Sequence, residues 1–405
     1  MILVGDYVLG NLDIKTLFKK SPEEFILMNL EGPLLQEKFI YSPIQKAGAH
    51  LYSTKVPVEL QPIILALANN HLMDFGIEGL KSTYSYAKKH NILFVGAGEN
   101  LRRARQPIIV YEKNATIAIL SCCEAQFGTA VNQYIGVAEF GPWLYAEIMR
   151  LRNDVDAVIV SSHAAVEDAP WPSPRIQEFY RSLIDVGAKV VHGHHAHVPQ
   201  GVEEYKNGLI LYGLGNFIVD PEKWQELPNS LWSIGIRVDF AQKPIAWENL
   251  TFEIEKDDEN NIFLRESHES ERIHHQKYID TYNSALSTRD LLDALWQEVA
   301  VRSFYGYKAK YMNFPTDRIA SIGFRERLKY ARDGFLKLIA ATVGSDRLAK
   351  IPHKDYLLWY VMFACESHRD SIATALGILS GELPDLRNKK SKALVDEIMP
   401  WTVKI

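Results

Sequence analysis

Cysteine is scarce in this chain. There are three in 405 residues, and two of them, Cys122 and Cys123, are adjacent. A sparse, odd count excludes a disulfide framework and points to a reducing compartment. Long apolar runs are missing as well: the longest, Leu357 to Cys365, falls far short of the ~20 residues a membrane span requires. The opening Met1-Ile2-Leu3-Val4-Gly5-Asp6 has no basic start and no signal-type apolar stretch, so a cytoplasmic protein with no membrane span is expected. Excess charge of one sign is small, at −5, which argues against a nucleic-acid partner, since such binders are usually basic. Internal repeats and low-complexity tracts are absent too.

What is present is an ordinary globular balance, 47% hydrophobic and 23% charged, in a chain too long for one core. The first two-thirds alternate short apolar runs with helical segments. Candidate strands are 2–5, 25–29, 63–68, 92–95, 108–111, 116–121, 157–161, 188–191, 209–212 and 233–239. One helix between them carries Ile77, Leu80, Tyr84 and Ala87 on a single face and closes at Asn91. Another starts with Ser173 as N-cap and Pro174 at the first position, buries Ile176, Phe179, Tyr180, Leu183 and Ile184, and stops at Gly187. Such alternation indicates an α/β domain with largely buried sheets.

The character changes near Trp247. Leu250 to Ile254 alternates like a half-exposed strand, and the charge-dense 255–272 reads as a surface hairpin or linker. Beyond it the pattern is helical, with stripes at Leu291, Leu292, Leu295 and Val299, at Leu328, Ala331, Phe335, Leu338 and Ile339, and across Tyr356–Leu379. The expected division is an α/β domain over 1–255, a charged linker or hairpin over 256–275, and a helical region over 276–405. That last region carries no motif with chemistry and is read as a structural cap, or as a face for a protein partner or self-association.

The chemistry collects where the strands end. Gly5-Asp6, Asn29-Leu30-Glu31, Asn69-Asn70-His71 with Asp74-Phe75-Gly76, His163 with Glu167, His192-Gly193-His194-His195-Ala196-His197, and Gly213-Leu214-Gly215-Asn216 each follow an apolar run. Ligands of open α/β sheets bind beyond the carboxyl ends of the strands. Six such ends meeting would supply carboxylates, an amide oxygen and imidazoles, a mixed set suited to Mn, Fe or Zn. Less specific features have structural readings. Arg102, Arg103 and Arg105 read as a solvated helix start, Cys122-Cys123 as buried packing, and His274-His275 as solvated. Pro170-Trp171-Pro172 is either an aromatic lip over a site or a core plug.

This ordered set, with Gly96-Ala97-Gly98, resembles the CapA family of capsule and poly-gamma-glutamate synthesis proteins, within the calcineurin-like metallophosphatase superfamily. The resemblance covers about residues 1–220. It implies a four-layer αββα sandwich of two mixed sheets, followed here by the all-helical C-terminal region. It further implies a centre for one or two divalent ions, with Asp6, Glu31, Asn70, His163, His195 and His197 as ligands and Glu31 bridging. His71 is implied as the group that protonates a leaving group or steadies a phosphate, oriented by Asp74. Glu167, four residues after His163, would hold that imidazole's other nitrogen, with Gln200 and Asn216 as further outer partners. The implied activity is metal-dependent hydrolysis, a phosphoesterase using a metal-activated water on a small-molecule or polymer-derived anionic substrate. Two departures stand out. Val8 replaces the histidine of the usual Asp-x-His opening, which leaves the first ion one ligand short, and Ala164 stands where the family has tryptophan. The first departure keeps open an accessory protein that binds an anionic polymer or its precursor with little or no turnover. A metal-dependent amidohydrolase or peptidase is a further alternative.

Overall fold

The computed structural model describes residues 1–36, 40–46, 48–125, 127–257, 259, 261–310 and 353–402. The stripe from Leu328 to Ile339 lies outside the described residues. Two mixed sheets face each other. The larger runs, in spatial order, Ile14–Thr16, Ile262–Glu266, Ala246–Lys256, Trp232–Asp239, Ile2–Val8, Ile26–Leu30, Ile63–Ala66 and Leu93–Val95, with Asn216–Val219 pairing beside Ile2–Val8. The smaller runs Val202–Tyr205, Gly208–Leu211, Val190–His194, Ala157–His163, Ala115–Cys123 and Ile108–Glu112. In the smaller sheet the central strands are parallel and the antiparallel pairs lie at the two edges; in the larger, the strands from Ile2–Val8 to Leu93–Val95 are parallel and those from Ile2–Val8 to Ile262–Glu266 pair antiparallel. The central strands are buried on both faces, as unbroken apolar runs require.

Three apolar layers hold the sandwich together. Leu3, Leu27 and Ile64 of the larger sheet meet Ile117, Ile159 and Val190 of the smaller between the sheets. Outside the larger sheet, Val4, Met28 and Leu65 pack with Leu80 and Ala87 of helix Gly76–Lys89. Outside the smaller sheet, Leu120, Val160 and Val191 pack on helices Trp143–Leu151 and Pro174–Asp185. The architecture is the expected four-layer αββα sandwich. Burying one such aliphatic side chain is worth about 1.5–3 kcal/mol, so layers of this size dominate stability.

Local signals hold with corrections. The Ser173 hydroxyl accepts from the Ile176 N–H at 3.2 Å, Pro174 opens the helix, and Gly187 follows it at φ +122°. In helix Gly76–Lys89, however, Ile77 is exposed, and the inward face is Leu80, Thr83, Tyr86 and Ala87. The charged stretch is a hairpin whose second arm, Ile262–Glu266, extends the larger sheet by pairing with Ala246–Lys256 and Ile14–Thr16. Helix Glu269–Leu286 already begins inside that stretch, with Glu271 accepting from the His268 N–H at 2.6 Å.

The C-terminal region is helical: Arg289–Lys310, His353–Ala364, Glu366–Ser380 and Lys389–Ile398 follow Glu269–Leu286. Leu292, Leu295 and Val299 are buried as their spacing predicts, while the stripe over Tyr356–Leu379 is divided between two helices at Cys365. Trp171 is a core plug: it is buried edge-on against Tyr282, with Val166 and Ala169 beside it, and fastens the helices to the sandwich. His275, expected to be solvated, is instead buried, stacked 3.9 Å from Trp232 with its Nε2 2.6 Å from a Glu253 oxygen. Among the described residues, no helix is long and apolar enough to cross a membrane.

Candidate metal centre

Two strands cross closely to make the floor of the site. A Cβ on Gly5 would stand 1.8 Å from the Gly215 carbonyl oxygen, which accepts from the Asp6 N–H at 3.0 Å. Only glycine allows that approach, and it brings Asp6 level with Asn216. Glu31 follows the next strand, and Asn70 stands four residues past the end of the strand beyond it. From the facing sheet, Ala157–His163 and Val190–His194 run parallel, with His163 level with His194. The latter strand extends three residues past its apolar run, so His192 and His194 belong to the strand, not to the turn after it. Both point back across the sandwich, His192 to the Val4 carbonyl at 2.8 Å and His194 to Asp6 at 3.2 Å. His195 and His197 then take positive φ, at 86° and 58°. That conformation is uncommon for histidine and concentrates at functional sites.

Two overlapping donor groups result. Glu31, His163 and His195 form one, and Asp6, Glu31 and His197 the other, each set within 4.8 Å and all buried. Glu31 belongs to both. Its nearer oxygen lies 3.8 Å from His163 Nε2 and 3.6 Å from His197 Nε2. Asn70 adds an amide oxygen 2.9 Å from His163 Nε2. Among the described residues, neither Glu31 carboxylate oxygen has a hydrogen-bond partner, nor does Nδ1 of His195. An unpartnered carboxylate inside a protein is costly unless a cation sits beside it. Donor types and orphaned atoms therefore fit a divalent ion.

The electrostatics agree. Burial, with Asp6 adding its repulsion, pushes the Glu31 carboxyl up to about 7 against the pull of His197. Asp6 goes the other way: burial opposes its charge, but the hydrogen bond and charge of His194 hold it below the ordinary range. Burial and neighbouring imidazoles keep His163 well below its usual value, so it stays a neutral donor.

The bacterial capsule synthesis protein model, PGA_cap, matches residues 6–221, from the first of these residues to just past the last strand of the site. The chain belongs to that family. It is 30% identical over 258 residues to the capsule biosynthesis protein CapA of Bacillus anthracis, covering 57% of this chain and 62% of that protein. It is 32% identical over 216 residues to the PGA biosynthesis protein CapA of Bacillus subtilis (strain 168), covering 51% and 56%. The matches thus span less than two-thirds of either relative. A hypothetical protein from Thermus thermophilus superposes with a TM-score of 0.37 at 12% identity, covering 62% of this chain and 98% of that one.

Within the PGA_cap region, the expected residues divide in three. Asp6, Glu31, Asn70, His163, His195 and His197 come together as described. His71 lines a cleft of about 560 Å3 opening over the donor groups, and its Nδ1 lies 2.8 Å from Oδ2 of Asp74, which is buried behind it. Asn216 reaches His197, with Oδ1 3.1 Å from Nδ1. Two expectations fail. Glu167 is exposed and approaches His195 at 3.9 Å instead of His163, because the turn after His163 carries it to the rim. Gln200 spends its amide on the Ala169 carbonyl at 2.7 Å and serves the loop.

Sequence reasoning missed several members. Asn29 Nδ2 bonds Asp6 at 2.9 Å and lies 3.2 Å from His163 Nδ1, the position expected of Glu167. Lys46, on a loop with no motif, ion-pairs Asp74 and lies 2.9 Å from His71 Nδ1. Glu124 follows the strand Ala115–Cys123 and places Oε1 3.1 Å from His195 Nε2. The strand-end rule alone would have found Glu124, since the carboxylate directly follows Cys122-Cys123.

Proposed function

We propose that this chain is a divalent-metal-dependent hydrolase of phosphoesters, acting on a small molecule or on an intermediate of anionic-polymer synthesis. The Glu31 carboxylate carries this reading, because it is buried, unpartnered and common to two donor groups. Asp6, Glu31 and His197 would hold one ion, and Glu31, Asn70, His163 and His195 the other; Mn, Fe or Zn suits the mixed oxygen and nitrogen set. Such ions, when bound, neutralise charge on phosphoryl oxygens and make water a better nucleophile.

The chain's own side chains supply the rest. Lys46 donating to Nδ1 of His71 would place the proton of the neutral ring on Nε2, the nitrogen then free to give it to a leaving oxygen in the cleft. Burial holds His71 below its usual value despite Asp74, so it enters the reaction neutral near pH 7. Lys46 brings positive charge to the same wall, which favours an anionic substrate. Trp224, Phe127 and Tyr307 line the cleft and shield it from water.

One observation favours a second reading, an accessory protein that binds the anionic polymer without turnover. Val8 is buried in the apolar layer, and the Asp6 group stays at three donors. Elemental analysis separates the two, together with a phosphoester screen of the wild type, Asp6→Ala and His71→Ala. Close to two ions per chain, fewer in Asp6→Ala, and turnover lost in His71→Ala with its metal retained support the hydrolase. A fully loaded wild type that cleaves no phosphoester supports the binder. A wild type free of metal refutes the hydrolase.

A further inference from the structure

The helical region enters the cleft. Ser303, Tyr307, Met362, His368 and Trp401 line it opposite the histidines, although the family match ends at residue 221. One contact goes deeper than the lining. Helix Glu366–Ser380 begins after Cys365, whose side chain makes no capping hydrogen bond. The first-turn N–H of Ser367 instead donates to Glu124 Oε2 at 3.0 Å, and the Ser367 hydroxyl stands 2.9 Å from the same oxygen and 2.7 Å from the Ala165 carbonyl. A carboxylate at a helix start is favoured both by the free N–H groups and by the helix dipole. The other oxygen of Glu124 meets His195 Nε2 at 3.1 Å. One buried carboxylate therefore caps a helix of the C-terminal region and fixes an imidazole of the candidate metal centre.

We propose that Glu124 couples the seating of the C-terminal helices to the group formed by Glu31, His163 and His195, with Ser367 as the positioning residue. The inference rests on the metal reading above and adds to it a role for a region outside the family match. Nε2 of His195 is engaged by Glu124 and Nδ1 is unpartnered, so the ring's orientation toward an ion is set from the helix side. Among the described residues the Asp6, Glu31 and His197 group has no such link: His197 is held by Asn216, within the sandwich.

The two groups therefore predict different responses. Zn2+ binding is titrated on the full chain against a chromophoric chelator, and loss in His163→Ala identifies the phase that belongs to the His195 group. Ser367→Ala is expected to weaken that phase about tenfold, the lower end of what outer partners of a metal ligand contribute. The other phase should be unchanged, and Ser367→Thr, which keeps the hydroxyl, should restore the first. In the Glu124→Gln background, Ser367→Ala should add nothing, because both act through one path. Thermal unfolding of each variant without metal guards against simple misfolding. A wild type loading two ions with Ser367→Ala equally affecting both phases, or neither, overturns the coupling and leaves the metal centre standing. Additive losses in the double variant overturn it as well. A wild type that takes up no Zn2+ overturns the metal reading, and this inference with it.

Discussion

The sandwich and the helical region solve the problem of buried polar groups in opposite ways. In the helices, Arg302 is fully buried, but Glu298, Asp396 and Thr402 surround its guanidinium. At the strand ends, Glu31 is equally buried, and among the described residues its oxygens accept no hydrogen bond, the imidazoles of His163 and His197 standing 3.8 and 3.6 Å away, while His195 and His197 sit in backbone conformations uncommon for histidine. A paired buried charge belongs to a structure that is complete as it stands. One left without a hydrogen bond marks a place that a cation would fit. The contrast locates the chemistry more sharply than burial or charge alone, since both regions have plenty of each.

The strongest way to break the comparison is at the floor of the site. Gly5→Ala places a methyl group within 1.8 Å of the Gly215 carbonyl oxygen, backbone that cannot give way, and is expected to cost more than about 4 kcal/mol in denaturant unfolding. Arg302→Ala leaves Glu298 and Asp396 without their cation and is expected to cost about 3–5 kcal/mol, the usual loss when one partner of a buried pair is removed. Native-state hydrogen exchange should confine that loss to the helices and leave the strands around Asp6 protected.

Glu31→Gln tests the contrast from the other side. Removing an unpartnered buried charge should stabilise the metal-free protein by about 1 kcal/mol and abolish its metal uptake. Thermal unfolding in a chelator, set against elemental analysis, reads both; a less stable variant would mean that Glu31 has a partner after all. Gly306 is the helical counterpart of Gly5, with nothing among the described residues outside its own helix within 4 Å of an added Cβ. Gly306→Ala should gain about 0.5–1 kcal/mol, the usual helix-interior preference.

The smallest effect concerns acid. The Arg265 hydrogen bond holds Glu271 down at about 2, against an ordinary value of 4.5. A lowered folded value means the contribution is complete above about pH 4.5 and fades as pH falls toward 2. Exchange at the start of helix Glu269–Leu286 should therefore quicken below pH 4.5, and Glu271→Gln should remove that dependence. Because Glu271 is partly solvated, the change stays local.

The α/β order, the family and most donor types could be read from the chain itself, because strand, turn and ligand are neighbours in sequence. Apolar runs such as Ile26–Leu30 must be buried whatever surrounds them, and a polar residue directly after each must stand at a sheet edge. Ser173-Pro174 likewise starts a helix through its own side chain. Pairing across the fold was not readable in this way. That Asn29 and not Glu167 serves His163 follows from the alignment of two sheets, and that His275 is buried follows from Trp232 on another strand. The role of Glu124 appears only when residue 367 arrives beside it. Sequence by itself determined most of the elements that form and the polar residues that follow them, since those preferences act within a few positions of the chain. Tertiary structure alone decided which of those residues share a donor group, a hydrogen bond or a helix cap, because such contacts depend on distances between segments that no local rule encodes.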